Sequence, residues 1–344
     1  MVTPTAMDEY FVHQIPECLP NVAVHHHHWR ESYFYEFHDP SGEGDAIFFT
    51  MAHYPAQERM DSLQMGRVGG EQVLGVKGRP YDGDPHTTEV PGARVEVITP
   101  MREVRLWAEP ADGAIGLDLT WRARTQPYAL RRGTMRAGHE LVWDQSHILQ
   151  SGNYTGTYTF DGTAREVAGW IGARDHSWGI RDHGRCPLWL WWQIQLDDGF
   201  LGVWHWELPN GALVYRDGCW AGADMSEPVP VVDFHYDAKW VGADGKPAAY
   251  GEHGDTVAGV VASAAFTLAD RRTIEVEAEG SVARTYEPFH RGGLNLMRVR
   301  TGDGARAPPS MRSPAPATTT SSPKPWSRGR CQDDGPRRRT RRNL

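Results

Sequence analysis

The sequence predicts an all-β protein made of antiparallel strands. Long helical periodicity is hard to find along the chain. Short alternating runs rich in β-branched and aromatic residues recur at close spacing instead. Between them sit residues that tolerate positive φ: Asp39-Pro40-Ser41-Gly42, Asp112-Gly113, Asp197-Asp198-Gly199, Pro209-Asn210-Gly211 and Asp244-Gly245.

The elements follow in order. Ser32–His38, Ala46–Tyr54, Arg94–Thr99, Val104–Glu109 and Ile115–Arg124 read as strands. The pattern breaks over Tyr128–His139, where Gln126-Pro127 precedes Gly133 and Gly138, and a domain boundary is placed there. A meander follows. Leu188–Leu196 is a strand, Asp197-Asp198-Gly199 its turn and Phe200–Leu208 the return, and Pro209-Asn210-Gly211 leads into Ala212–Arg216. Alternation puts Trp189, Trp191, Gln193 and Gln195 on one face of the first strand and Leu188, Leu190, Trp192, Ile194 and Leu196 on the other. Trp204 and Trp206 likewise oppose His205 and Glu207. Both faces carry large apolar groups, so the hairpin is expected to be covered twice, once inside a barrel or sandwich and once against a second domain. Val229–Val241, Val257–Leu268, Thr273–Thr285 and Leu294–Arg300 are further strands.

Composition narrows the function. The chain has 344 residues and a formal charge of −8. That average hides a split: 10 of the 36 Lys and Arg, but only 3 of the 44 Asp and Glu, lie after Thr301. An acidic body argues against a general nucleic-acid binder, which needs a basic face. No run approaches the 18 apolar residues of a membrane helix. Met1–Pro20 lacks an apolar signal core, so a cytoplasmic location is expected. The four cysteines (Cys18, Cys186, Cys219, Cys331) form no C-x-x-C pair and read as free thiols. His25–His28 is too short and too internal for a tag. Adjacent residues on an extended chain point alternately, so it is not read as a metal site. No metal and no cofactor are expected, and the common nucleophile, phosphate-loop and zincin motifs are absent. The 14 tryptophans point to an apolar pocket or a thick core.

The densest reactive cluster is Arg174-Asp175-His176-Ser177-Trp178-Gly179-Ile180-Arg181-Asp182-His183-Gly184, directly before the tryptophan hairpin. Gly179 and Gly184 suggest sharp bends that present the side chains between them. Charged groups this close to apolar surface either pair or titrate abnormally. Asp175-His176-Ser177-Trp178-Gly179-x-Arg181-Asp182 resembles the signature of bacterial tandem-lipocalin proteins, the hydroxyneurosporene synthase (carotenoid hydratase, CrtC-like) and AttH-like group. Trp29–Pro40 is similar to the opening strand of the same group. The likeness spans roughly Asn21 to Asp303. It implies two packed lipocalin-like (calycin) β-barrels and a hydrophobic small-molecule ligand, isoprenoid in the carotenoid hydratases. On this reading residues 1–20 are an extension, 21–135 the first barrel, 136–303 the second barrel with the motif, and 304–344 a basic tail.

Hydrating an isolated alkene needs a strong proton donor. Asp175 or Asp182 would be that acid, His176 an alternative acid or a water activator, and Arg181 an anchor for a polar ligand end. Trp178, Trp189, Trp191, Trp192, Gln193, Trp204, His205 and Trp206 would line the site, tryptophan faces stabilising a developing cation. Three alternatives stay open: a lipid carrier or sensor without chemistry, an Asp175–Arg181 ion pair that merely fixes an inter-barrel turn, and a structural module without a ligand. The tail after Thr301 has seven prolines and no Val, Ile, Phe or Tyr. It reads as a disordered, out-of-frame product that replaces a missing closing strand.

Overall fold

The computed structural model describes residues 9, 11, 26–40, 44–81, 87–182, 185, 188–208, 210–248, 257–283, 294–302 and 310–313. Nearly all of them lie in strands. The first sheet contains β1 (Trp29–His38), β2 (Ala46–Tyr54), β3 (Arg59–Val68), β4 (Glu71–Pro80), β5 (Glu89–Val90), β6 (Ala93–Thr99), β7 (Glu103–Ala108), β8 (Gly116–Ala123), β9 (Tyr128–Ala129), β10 (Gly133–Ala137), β11 (Glu140–Phe160) and β12 (Thr163–Arg181). The second contains β13 (Leu188–Leu196), β14 (Gly199–Glu207), β15 (Leu213–Gly222), β16 (Val229–Val241), β17 (Gly259–Leu268), β18 (Thr273–Ala283), β19 (Leu294–Thr301) and β20 (Ser310–Ser313).

The first sheet runs β4-β3-β2-β1-β12-β11-β8-β7-β6-β5, with β9 and β10 paired to β11. Its two ends are joined by side chains rather than by a ladder. Lys77 Nζ on β4 donates to the carbonyls of Gly92 (2.9 Å) and Glu109 (2.6 Å), and Arg79 Nε donates to Glu89 O (2.9 Å). The expected first barrel is therefore a curled, open sheet. Its concave side buries Tyr33, Tyr35, Phe37, Phe49, Met51, Leu106, Leu119, Trp121 and Tyr154.

The second sheet is a closed ring, β13 through β20. Ser310–Ser313 completes it, pairing with both β13 and β19. The closing strand expected to be missing is thus supplied by the tail itself, and the expectation that the tail stays off the body fails for these residues. The rest of the 304–344 segment lies outside the described residues. Closure matters because an unpaired edge leaves backbone groups without partners and invites intermolecular pairing.

The change of sheet falls between Arg181 and Leu188, not near Tyr128–His139. The motif strand β12 therefore belongs to the first sheet. The reason lies in β11 and β12, a long antiparallel pair whose polar, glycine-containing stretch Ser151–Thr159 lacks the clean alternation of a strand.

The two sheets pack through the outer face of the tryptophan hairpin. Trp191, Trp204 and Trp206 pack with Tyr128, Leu130, Trp143 and Leu149 of the first sheet, while Leu190, Trp192, Ile194, Leu201 and Val203 fill the second barrel. The alternation read from the sequence is correct for both strands. A fully buried large side chain contributes roughly 2–3 kcal/mol, so this aromatic layer holds the sheets as one unit. Polar clamps fix its register. Arg124 donates to the carbonyls of Leu196, Asp197 and Gly199 in the β13–β14 turn, and Asp217 accepts from Tyr128 and Arg131.

A chain ending at Gly302 loses β20 and opens the ring; one ending at Ser313 keeps it. The thermal midpoint of the shorter chain is expected to lie several degrees lower, as read by circular dichroism, and equal midpoints would show that β20 adds nothing.

Candidate functional site

The Asp175–Arg181 motif is neither a loop nor a pair of bends. It forms the last seven residues of β12, between β1 and β11, and alternation sends its residues to opposite faces. Asp175, Ser177 and Arg181 face the second barrel. Arg174, His176 and Trp178 face the other way.

On the inter-sheet face three strands align in rows. Ser32, Ser177 and His147 form one row, and Phe34, Asp175 and Leu149 the next. Arg30, Gly179 and Gln145 form the third. Gly179 leaves a gap there, and the gap is obligatory. Its φ is +127°, and a Cβ would come 2.1 Å from the Asp144 carbonyl oxygen. Four residues of strand span about 13 Å, so the Arg181 side chain reaches Ser177 only by lying over Gly179. Arg181 Nη2 donates to Ser177 Oγ (2.6 Å) and, more weakly, to Ser32 Oγ (3.4 Å). Ser177 Oγ in turn donates to Asp175 Oδ1 (3.2 Å). Arg181 and Asp175 are therefore linked through a serine, not by the direct pair considered from the sequence.

Asp175 is only 4% exposed. Burial pushes its carboxyl up to about 7, against the opposing pull of Arg181, Arg30 and the Ser177 hydrogen bond. Burial and the neighbouring Arg30 push Arg181 down to about 9, while Asp175 acts the other way. His147, also buried, is held well below the ordinary imidazole value by burial and by the nearby arginines. It lies against Trp204 with ring centroids 4.2 Å apart, and its Nε2 has no hydrogen-bond partner among the described residues. The same holds for both amide atoms of Gln145. The face thus offers an acid whose proton burial holds far more firmly than usual, an imidazole that burial keeps neutral, and an arginine.

The second barrel supplies the opposing wall. Trp191 packs on Phe34 (5.1 Å) and Trp204 (5.5 Å), and Trp189 on Trp204 (5.0 Å). Trp206 meets Trp143 at 5.5 Å. With its amide nitrogen toward Glu36 Oε1 (3.3 Å), Gln193 accepts from Trp191 Nε1 (3.2 Å).

Five residues of the sequence reading lie elsewhere. His176 points into the first sheet, 2.9 Å from Glu31 Oε1, because it is one residue out of phase with Asp175. Trp178 shares that face and packs near Trp29 and Ile180. Asp182 follows the last residue of β12 and pairs with Arg185 (2.9 Å), with His28 at 3.8 Å. Trp192 lies inside the second barrel against Phe234 and Phe266, and His205 faces Phe234 and Tyr236 with Glu207 at 3.0 Å. His183 and Cys186 lie outside the described residues. Reading the motif alone missed Arg30, Ser32, Gln145 and His147, which neighbouring strands bring in. Alternation in Trp29–His38 was the available signal for Arg30 and Ser32; His147 gave none.

A groove of about 470 Å³ lies at the seam of the first sheet, lined by Arg79, Val90, Arg94 and Trp107. None of the Asp175 cluster lines it. Among the described residues there is no group of three or more potential metal ligands, and no helix long and apolar enough to cross a membrane.

A model of a family of unknown function, DUF8625, matches residues 4–230. The chain belongs to DUF8625. No curated protein matches its sequence. Solved structures share the DUF8625 fold at low identity. An AttH-type protein from Nitrosomonas europaea is 11% identical, with TM-score 0.58 over 84% of this chain and 92% of its own. Kievitone hydratase from Nectria haematococca is 12% identical, with TM-score 0.51 over 92% and 95%. CghA, solved with the compound Sch210972, is 13% identical, with TM-score 0.51 over 85% and 89%. The lipocalin-like, all-β architecture of this DUF8625 chain is the one these proteins have.

Two predictions follow from this geometry. Gly179→Ala is expected to cost about 3 kcal/mol or more, because a carbonyl and a left-handed backbone must both give way; urea unfolding measures it. Asp175 holds a proton in the folded state that the unfolded chain, near 3.8, has released. Its contribution is therefore lost as pH rises from about 4 to 7, by roughly 4 kcal/mol at most. Asp175→Asn is expected to flatten that slope and gain relative stability at pH 8 over pH 5.

Proposed function

We propose that the inter-sheet face binds an apolar small molecule and adds water across, or shifts, one of its carbon–carbon double bonds by acid catalysis. The observation that carries this reading is Asp175: a carboxyl kept protonated to near neutral pH, beside a wall of tryptophans. Protonating an alkene carbon creates a carbocation, which needs both a strong acid and electron-rich surroundings. Asp175 delivers the proton. Trp191 and Trp204 face the positive charge that develops. His147 Nε2 accepts a proton from the attacking water, whose oxygen bonds to the cation; the imidazolium returns the proton to Asp175, restoring both groups. The sum is alkene plus water to alcohol. Without water, loss of a neighbouring proton to His147 gives the isomer.

The family likeness of the Asp175–Asp182 motif to hydroxyneurosporene synthase, and the shared fold with a protein named kievitone hydratase, support this choice of reaction. They also support an isoprenoid or related lipid as the ligand class. The alternative is a carrier that holds the same ligand unchanged.

The purified protein is incubated with a cellular lipid extract in heavy-oxygen water, and products are read by mass spectrometry. Wild type is expected to yield species heavier by one labelled water, or isomers of an input lipid. Asp175→Asn should abolish turnover while still retaining lipid, and His147→Gln should lower the rate about 100-fold or more. The rate should fall as pH rises through about 7, since the acid form of Asp175 is then lost. Lipid retained without any conversion by wild type would establish the carrier. Turnover that survives Asp175→Asn would refute the acid.

A further inference from the structure

The other face of β12 carries a second constellation that the proposed reaction does not use. Its centre is Arg174, whose guanidinium is 1% exposed inside the first sheet. A buried cation is costly unless it is paired and hydrogen-bonded. Its carboxylate partner comes from the start of the chain. Glu9, wholly buried, pairs with Arg174 through Oε1, and its Oε2 accepts from the Met101 backbone N–H (2.6 Å). Tyr33 Oη donates to the Glu9 carbonyl. Two residues on, the Phe11 ring stacks on Tyr33 (4.9 Å, 25°) and on His53 (4.7 Å, 15°). Arg174 also donates to Gln150 Oε1 (3.0 and 3.2 Å) and lies over the Trp121 ring at 4.6 Å.

The arrangement is that of a binding site more than of a core. A guanidinium with a backbone N–H is an anion receptor of fixed geometry. Next to it, two flat rings leave a slot that accepts a third. His53 is 0% exposed, yet neither ring nitrogen makes a hydrogen bond among the described residues; Nε2 stands 3.5 Å from Glu31 Oε2. A core filled for packing alone would not leave it so. Glu9 and Phe11 present one carboxylate and one ring to this receptor. Both precede β1, which begins at Trp29.

We propose that the interior of the first sheet is a binding site for a small aromatic carboxylate, whose place Glu9 and Phe11 hold until that ligand displaces them. The ligand carboxylate takes the Arg174 and Met101 N–H contacts, and its ring takes the slot between Tyr33 and His53. The site is separate from Asp175, which lies on the opposite face of the same strand.

The test uses cinnamate and its uncharged amide, cinnamamide, with the full chain. In Glu9→Ala/Phe11→Ala the receptor is emptied, and the thermal midpoint is expected to drop. Millimolar cinnamate should restore it, whereas cinnamamide should not, and calorimetry should show cinnamate binding at least tenfold tighter than to wild type. Adding Arg174→Gln should erase the difference between acid and amide. If the double variant does not fold alone, refolding in cinnamate and not in cinnamamide supports the site, and failure in both overturns it. In wild type, saturating cinnamate should speed amide exchange around Glu9 and Phe11. Equal responses to acid and amide, or no rescue by either, would mean that the two residues are ordinary core.

Discussion

From Ile171 onward strand β12 is hydrogen-bonded to β1 on one side and to β11 on the other, and both of its faces are covered there, one by the concave interior of the first sheet and one by the second barrel. A strand in that position cannot choose where its side chains go: the period of two decides. Six consecutive residues therefore serve two separate buried compartments. Arg174, His176 and Trp178 belong to one and Asp175, Ser177 and Gly179 to the other. A slip of one residue would exchange every charge in the motif between them. That constraint explains why so many polar groups are packed into one strand. Each face needs its own set, and each set is anchored by partners on β1 and β11 rather than by neighbours in sequence.

The two compartments handle charge differently. In the first-sheet interior Arg174 is paired directly with the Glu9 side chain, which favours the charged guanidinium against the cost of burial. On the inter-sheet face Arg181 lies over Gly179 and is linked to its acid through Ser177. Arg181 and the Ser177 hydroxyl both favour the carboxylate form of Asp175, but burial outweighs them. An arginine bonded straight to Asp175 would hold the carboxyl low and useless as an acid at neutral pH. Burial sets that balance, and the two arginines and the serine hydroxyl only partly offset it.

Much of the fold was legible in the sequence. The antiparallel, all-β class followed from short alternating runs and their turns, and the Leu188–Glu207 hairpin was readable face by face, because large apolar residues on both faces left alternation unbroken. The motif strand was not. Gly172, Gly179 and the polar residues between them look like a loop to any reading that expects apolar alternation, yet they are a strand whose backbone is approached so closely that side chains are excluded. Gly172 makes the point: a Cβ there would lie 1.8 Å from the Glu36 carbonyl. The Ser310–Ser313 strand was equally silent, since four residues without a β-branched or aromatic side chain gain their place from two waiting edges.

The candidate site was only half legible for the same reason. Reading the motif as a bend grouped Asp175, His176, Trp178 and Asp182 together; the sheet keeps Asp175 and moves the rest. What replaces them comes from strands that a linear reading does not connect, Ser32 from β1 and His147 from β11, both at the level of Ser177. Sequence proximity located the candidate site to within one strand, and register selected the residues. Once a motif is recognised as a central strand rather than a loop, the side chains that share its site are to be sought at the same level in the flanking strands. That places His147, whose Nε2 has no hydrogen-bond partner among the described residues, closer to the candidate site than His176, whose imidazole is committed to Glu31.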